Sequence, residues 1–238
     1  MPGEQEKAKG RVPVMEALEM SSLLNALRPD QKASLAASAI PAQASKGEVI
    51  WVAGTNQEYF GLVRSGFVKM VRADTGGTET VLELMGPGQI FGMLGLIEGS
   101  GCPLSAVAIT DVSYLKIPKR ALLPIYEQSM ALKEQLIRRI TTRLHNTHEV
   151  LAHMTRGRVE ERIASILLLL AQSYGERIND SIEVQVPLTR QDISDMAGTT
   201  VETTIRILSR WQKDKIISTS KHYITILDEH ALESFLTV

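Results

Sequence analysis

The sequence predicts an α+β fold in three consecutive parts: a strand-rich N-terminal half, one long helix and a helical C-terminal third. Short apolar runs alternate with glycine turns between residues 45 and 117. Apolar residues then recur at spacings of three and four along residues 129–156, and two short amphipathic helices separated by a glycine follow Thr189. With 238 residues the chain is also long for one domain, since domains commonly contain about 100–200 residues.

Composition limits the chemistry that the chain can carry. It has 26 basic and 27 acidic residues, and the net charge of −1 by itself argues against a nucleic-acid partner. The single cysteine excludes an internal disulfide, a four-cysteine zinc site and a 4Fe–4S cluster held by four cysteines. We expect no enzymatic activity, because the sequence lacks a nucleophile elbow, a P-loop and a His-Glu-x-x-His zinc motif. With no export signal or membrane-spanning run, the expected location is cytoplasmic, without a membrane partner.

The N-terminal half is expected to begin with a flexible segment, residues 1–20, and to continue as an antiparallel β-barrel or jelly roll over residues 21–128. One or two short helices are predicted within residues 21–38. Seven strands are predicted from the apolar runs between glycine turns: residues 48–53, 59–65, 67–72, 79–85, 90–92, 105–110 and 112–117. Pro118 and Pro124 are expected to bracket a further short helix.

A long helix is predicted over residues 129–156, with an apolar seam along one face. The seam has the alternating three-and-four spacing of a coiled coil and consists of Ile137, Ile140, Leu144, Thr147, Leu151 and Met154. Packing of this stripe on the chain's own barrel is one interpretation. The narrowness of the seam and the charged residues on the other faces, such as Arg138 and Arg143, favour a parallel homodimer instead.

Residues 157–238 are predicted to form a winged helix-turn-helix. A helix over residues 159–173 and a strand over residues 181–186 come first. Thr189 is suited to the N-cap of a short helix, which a tight turn at Gly198 separates from a second helix. In the second helix four residues are spaced to bury one face: Val201, Thr204, Ile205 and Leu208. Strands near residues 216–218 and 223–227 complete a hairpin, the wing.

The other face of the second helix carries hydrogen-bonding side chains. Glu202 and Arg206 lie four residues apart and can project together. Arginine binds the guanine edge in the major groove, and glutamate accepts from cytosine. From Thr189 to His222 six basic residues stand against four acidic ones, so this segment is slightly basic although the whole chain is not. These features favour DNA binding over an ordinary helical hairpin.

Motifs in both halves resemble the cyclic-AMP receptor protein / fumarate–nitrate reductase regulator (CRP/FNR) family of bacterial transcription factors. The motifs are residues 91–96 (FGMLGL) and 105–106 (SA) in the barrel, with residues 188–193 (LTRQDI) and 201–206 (VETTIR) near the C-terminus. The resemblance implies a cyclic-nucleotide-binding-type β-barrel, a dimerisation helix and a DNA-binding domain. Its implied partners are double-stranded DNA, a second copy of the chain, RNA polymerase and a small-molecule effector.

The resemblance also implies which residues contact DNA. Glu202 and Arg206 fall on base-reading positions of the family, and Val201 matches the fumarate–nitrate branch, which favours a palindrome of the TTGA-N6-TCAA type. Ile205 is a further base-reading position; it differs from the small or polar residue of both branches and leaves the outer base open. Phosphate contacts are implied for Thr189, Arg190, Thr200, Thr203, Lys221 and His222. Gly157 is the expected hinge between the effector and DNA-binding parts.

An effector site is implied in the barrel and on the long helix, at Gly92, Met93, Leu94, Leu104, Ser105, Thr147 and His148. The cyclic-AMP branch binds ribose and phosphate through a glutamate and an arginine, and these two positions are Met93 and Leu104 here. Without those groups a buried phosphate would lack its charged partners, so we do not expect cyclic AMP to be the effector.

Four alternatives for the signal follow from the same positions. The barrel could bind a more apolar or a different anionic effector, or it could be empty in a protein controlled by its abundance. A haem sensor would draw on residues of the long helix or the barrel: His145, His148, His153 and Met93. Cys102 is the candidate for a redox signal, although a free reduced thiol is the simpler interpretation.

Overall fold

The computed structural model describes residues 12–73, 79–99, 101–156 and 158–236, which divide into two units. The first unit contains residues 12–73 and 82–141, and the second contains residues 142–236 together with the short segment 79–81. Within these ranges no helix is both long enough and apolar enough to cross a membrane.

Helices precede the sheets of the first unit: α1 (Val14–Met20), a 3₁₀ turn (Leu24–Ala26) and α2 (Pro29–Ser38). Ala17 and Leu18 of α1 are fully buried in the apolar core. The expectation of a flexible segment up to residue 20 was therefore wrong for residues 14–20, because burial of these apolar side chains holds α1 on the core. Residues 1–11 lie outside the described part of the chain.

Two four-stranded antiparallel sheets form the body of the first unit, apart from residues 79–81 at the start of β5. Their strands are β1 (Ile40–Ala44), β2 (Val49–Trp51), β3 (Tyr59–Ser65), β4 (Val68–Ala73), β5 (Glu79–Met85), β6 (Ile90–Phe91), β7 (Ser105–Ala108) and β8 (Val112–Pro118). The strand orders are β1-β8-β3-β6 and β2-β7-β4-β5, so the predicted jelly roll is confirmed as two sheets. The sequence pattern did not indicate β1, which contains Pro41 and pairs at the edge with β8, where proline is tolerated.

Three further helices belong wholly or partly to the first unit: α3 (Met93–Glu98), α4 (Lys119–Gln128) and α5 (Met130–Arg156). The sequence pattern did not indicate α3, a single short helix between Gly92 and Gly99, which both have a φ of 81°. Helix α4 continues through Pro124 instead of ending there. The long predicted helix begins one residue later than expected and ends at Arg156.

The core of the first unit consists of two apolar clusters. Cluster A includes Phe60, Leu62 and Leu115 and is completed by Leu132 and Leu136 of α5. Cluster B is aromatic and contains Trp51, Phe91 and Tyr114, with Tyr59 packed against it. The indole of Trp51 stacks on Phe91 with ring centroids 5.0 Å apart and meets Tyr59 edge-on at 5.9 Å. These clusters fix the positions of the barrel residues discussed below.

The second unit is a winged helix-turn-helix. Its elements are α6 (Val159–Tyr174), β9 (Gly175–Ile178), β10 (Ser181–Val184), α7 (Arg190–Ala197), α8 (Val201–Lys213), β11 (Ile217–Ser220), β12 (Tyr223–Ile226) and α9 (Glu229–Glu233). The four strands pair antiparallel in the order β11-β12-β10-β9. Strand β9 was not expected, because all four of its residues are exposed and show no apolar run. Trp211 of α8 is fully buried, and its ring centroid lies 5.0 Å from that of Phe235.

Candidate DNA interface and effector site

Local hydrogen bonds set the start of both helices in the helix-turn-helix. The Thr189 hydroxyl accepts from the Asp192 N–H at 3.1 Å, while the Asp192 carboxylate accepts from the Thr189 N–H at 2.9 Å. This reciprocal capping box confirms Thr189 as the N-cap of α7. Gly198 closes the turn with a φ of 57°, and Thr200 caps α8 by accepting from the Thr203 N–H at 3.2 Å.

Helix α8 has one buried and one exposed face. The buried residues are Thr204, Ile207, Leu208 and Trp211, and the exposed ones are Glu202, Ile205, Arg206, Ser209, Arg210, Gln212 and Lys213. The expectation that Ile205 belongs to the buried face was wrong: its side chain is 46% exposed. Ile207 is buried instead because it lies three residues after Thr204 and four before Trp211, on the same stripe. Glu202, Ile205 and Arg206 therefore share the exposed surface at the start of α8.

The threonines expected at phosphates have hydroxyl groups that are bonded within the chain. Besides its bond to the Asp192 N–H, the half-buried Thr189 donates its hydroxyl to the Asp192 carboxylate at 2.6 Å. The Thr200 and Thr203 hydroxyls lie 3.1 Å apart and hydrogen-bond each other. Thr200 is exposed and Thr203 half-buried, so these two residues lie at the surface where α8 begins.

Basic residues expected at phosphates lie on α7 and at the wing tip. Arg190 is half-buried, donates to the Thr219 hydroxyl of β11 at 3.2 Å, and has its pKa lowered by burial. Lys221 and His222 are exposed in the two-residue turn between β11 and β12. Both have a positive φ, 47° and 73°, as the tight turn of such a hairpin requires.

Two arginines attach the helix-turn-helix to α6. Arg162 donates to the carbonyl oxygen of Gly198, in the turn, at 3.2 Å. Arg210 of α8 forms an ion pair with Glu160 at 2.8 Å. These partners lie 36 and 50 positions apart in the chain, so no local spacing could have indicated them.

Helix α5 carries two different apolar stripes. Leu132 and Leu136 are buried in cluster A. The seam residues Ile137, Ile140 and Leu144 are 63%, 40% and 50% exposed in the single chain. The stripe that packs on the chain's own barrel is thus a different one from the predicted seam.

The rest of the seam lies partly outside the described residues. Thr147 is exposed and donates its hydroxyl to the Arg143 carbonyl at 2.9 Å, one turn back in the helix. The side chains of Leu151 and Met154 lie outside the described residues, as does the expected hinge at Gly157.

Two of the barrel residues expected at the effector site, Gly92 and Leu104, contact Trp51. A Cβ atom added to Gly92 would approach the Trp51 ring to 2.7 Å, so the indole lies directly on this glycine. The Trp51 Nε1–H donates to the Leu104 carbonyl at 3.0 Å, and the Ser105 hydroxyl accepts from the Ala53 N–H at 2.9 Å. Trp51 itself is only 5% exposed. The Leu104 carbonyl and the Ser105 hydroxyl are therefore engaged by Trp51 and by Ala53, two residues after it.

The other residues expected at the effector site differ in burial. Met93 is 4% exposed and packs in cluster A, whereas Leu104 packs against cluster B. Leu94 is 41% exposed. His148 is exposed on α5 and lies in the second unit.

The residues expected for haem or redox sensing differ in exposure. His145 is exposed, and the side chain of His153 is not described. Cys102 is 6% exposed and packs in cluster B. In the described ranges, no three or more histidine, cysteine, aspartate or glutamate side chains group as a metal site would require.

Comparison with known proteins matches both units. Residues 41–129 match the family described as the cyclic nucleotide-binding domain, and residues 161–235 match the Crp-like helix-turn-helix domain. The CRP-like cAMP-activated global transcriptional regulator of Mycobacterium tuberculosis is 28% identical over 194 residues, which cover 82% of this chain and 87% of the relative. The fumarate and nitrate reduction regulatory protein of Vibrio cholerae is 29% identical, with coverage of 79% and 74%.

Among solved structures, FixK2 from Bradyrhizobium japonicum has a similar fold. It superposes with a TM-score of 0.74 and 23% identity, over 84% of this chain and 98% of FixK2. At this identity the similarity supports the fold alone.

Proposed function

The chain belongs to the CRP/FNR family of transcription regulators, which are not enzymes, and on this premise we propose that it acts as a homodimer that reads a palindromic DNA site. The proposed site is of the TTGA-N6-TCAA type, and the proposed signal is something other than cyclic AMP. Each part of the proposal has its own structural support.

The observation that carries the DNA proposal is the exposed pair at the start of α8. Glu202 and Arg206 are both exposed, lie one helical turn apart and follow a capped N-terminus. Their helix, α8, is fixed in the unit by its buried Trp211 and by the ion pair between its Arg210 and Glu160 of α6. A rigid helix with this pair at its start can place a guanidinium on a guanine edge and a carboxylate on a cytosine amino group.

Support for the homodimer comes from the exposed seam of α5. Ile137, Ile140 and Leu144 form an apolar stripe with coiled-coil spacing, separate from the stripe that packs on cluster A. Leaving three large aliphatic side chains in water is unfavourable, and a second α5 with the same seam would bury them. Two DNA-binding units would then face two half-sites of a palindrome.

Support for a signal other than cyclic AMP comes from the barrel. Met93 and Leu104 offer no charge to a ribose or a phosphate, and the Ser105 hydroxyl is bonded to the Ala53 N–H. Trp51 lies over Gly92, where an incoming ligand would have to displace an indole that is stacked on Phe91. We therefore expect no measurable heat when cyclic AMP is titrated into the purified protein; submicromolar binding would refute this part of the proposal.

The DNA proposal is tested by fluorescence anisotropy with a labelled TTGA-N6-TCAA duplex and a scrambled duplex. Wild type should prefer the palindrome. The affinity of Arg206→Ala for the palindrome should fall roughly 5- to 150-fold per half-site, since a bidentate arginine–guanine contact contributes ~1–3 kcal/mol. Arg177→Ala is the matched control, because Arg177 is an exposed arginine of β9, at the opposite edge of the sheet from β11. Equal affinity of wild type for both duplexes would refute the site and favour a binding module that no longer reads DNA.

A further inference from the structure

We propose that Ile205 reads DNA sequence by packing on the 5-methyl group of a thymine in the outer part of the half-site. This inference rests on the proposed function, because it needs α8 in the major groove. The family resemblance implies that this position reads a base but leaves the base open, and the inference names the base feature that Ile205 recognises.

The exposed position of Ile205 is the first observation. Its side chain is 46% exposed, while the aliphatic residues two and three positions later, Ile207 and Leu208, are buried. The buried stripe of α8 is complete without it, ending on the fully buried Trp211. The side chain of Ile205 therefore does not serve the core of its own unit.

The neighbours of Ile205 define what can cover it. Glu202 lies three residues before it, Arg206 directly follows it, and all three share the exposed face. The charged neighbours make this face unsuited to an apolar protein interface, where charged residues are depleted. They suit a major groove, in which polar base edges lie next to isolated methyl groups.

Among the base edges in the major groove, the thymine methyl group is the one that suits an isoleucine side chain. At the floor of the major groove, guanine, cytosine and adenine present only hydrogen-bonding groups, and thymine adds a methyl group at C5. A β-branched side chain on a helix is held largely in one rotamer, so isoleucine offers a rigid apolar surface to such a methyl group. With Arg206 on the guanine of TTGA, the adjacent thymines on its outer side are the methyl groups that Ile205 can reach.

The test replaces thymine by deoxyuridine, which keeps every base-pair hydrogen bond and lacks only the methyl group. Four duplexes are compared by anisotropy with the full-length protein: the TTGA-N6-TCAA palindrome, the same duplex with deoxyuridine at both thymines of each TTGA half-site, and controls with thymine or deoxyuridine in the spacer. For wild type the outer substitution should weaken binding about four-fold per half-site, the factor that corresponds to one buried methyl group. The spacer substitution should change nothing.

Ile205→Ala should bind the outer thymine and outer deoxyuridine duplexes equally, and thermal unfolding should show that it is folded, since the side chain is exposed. Equal binding of the two duplexes by wild type, or unchanged discrimination by Ile205→Ala, would overturn the inference while leaving the reading of the palindrome intact. Failure of wild type to prefer the palindrome over a scrambled duplex would instead refute the proposed function, and the role of Ile205 with it.

Discussion

Replacing Trp51 by alanine should open a cavity in cluster B and lower the free energy of unfolding of the first unit by about 3–5 kcal/mol. The side chain is 5% exposed, stacks on Phe91 at 5.0 Å and contacts Tyr59 at 5.9 Å. It also donates the 3.0 Å bond to the Leu104 carbonyl, and losing a bond of this kind costs about 1 kcal/mol net. Trp51→Phe keeps an aromatic ring against Phe91, so it should lower the free energy of unfolding less than Trp51→Ala does.

Urea denaturation can separate the two units, because each of the two tryptophans lies in a different one: Trp51 in the first and Trp211 in the second. In Trp51→Ala the fluorescence of Trp211 reports on the second unit, whose midpoint should stay close to that of wild type. Far-UV circular dichroism should show the first unit unfolding at lower urea. Added indole should raise that midpoint again by filling the cavity, as apolar cavities accept aromatic ligands.

Two results would contradict a structural role of Trp51 in cluster B. A loss below about 1 kcal/mol would mean that the indole is not packed as the core requires, since that is less than a typical large-to-small core substitution. An alanine variant of normal stability that binds cyclic AMP would show that Trp51 is a movable cover over a functional nucleotide site.

Three other predictions concern the dimer seam, the wing and the aromatic cluster. Leu144→Glu should yield a monomer by sedimentation and lose palindrome binding, because it puts a charge into an apolar seam; a variant that still sediments as a dimer would contradict the seam assignment. The double variant Lys221→Asn/His222→Gly should raise the free energy of unfolding of the second unit by about 1 kcal/mol, since asparagine and glycine tolerate the positive φ of these positions. The same variant should bind DNA more weakly at low salt, because it removes a basic side chain from the wing tip. An unchanged affinity would mean that the wing tip does not contact DNA. Burial raises the pKa of Tyr114 from 10.0 to about 12, so the unfolded chain loses this proton first and the first unit should lose stability as the pH rises from 10 to 12. Tyr114→Phe should flatten that decline in urea denaturation, and an equal decline in the variant would assign it to other groups.

The sequence predicted best what local chemistry determines. The cap at Thr189, the turn at Gly198 and the wing follow from neighbouring residues, and the structure has all three. Prediction failed where tertiary packing decides between equivalent helical positions: Ile205 and Ile207 are both isoleucines within one turn, and only contacts with the rest of the unit bury the second. Periodicity alone could not make that choice.

Long-range contacts account for the rest of what the sequence did not indicate. The bond from Arg162 to Gly198 joins distant parts of the chain, and arginines at such spacing look like ordinary surface residues. For the barrel, residue types alone indicated that Met93 and Leu104 cannot bind a nucleotide in the manner of the cyclic-AMP branch. They did not indicate that these residues pack in different clusters, or that Trp51 from β2 lies on Gly92, because those contacts depend on how strands distant in sequence pair.

Selection of bound duplexes from a random pool by the purified protein would show which DNA site the protein reads. We expect enrichment of a two-fold symmetric site with TTGA and TCAA half-sites six base pairs apart, and loss of that enrichment with Arg206→Ala. An enriched site without two-fold symmetry, a symmetric site without guanine at the third position of the half-site, or no enrichment above the input pool would contradict it.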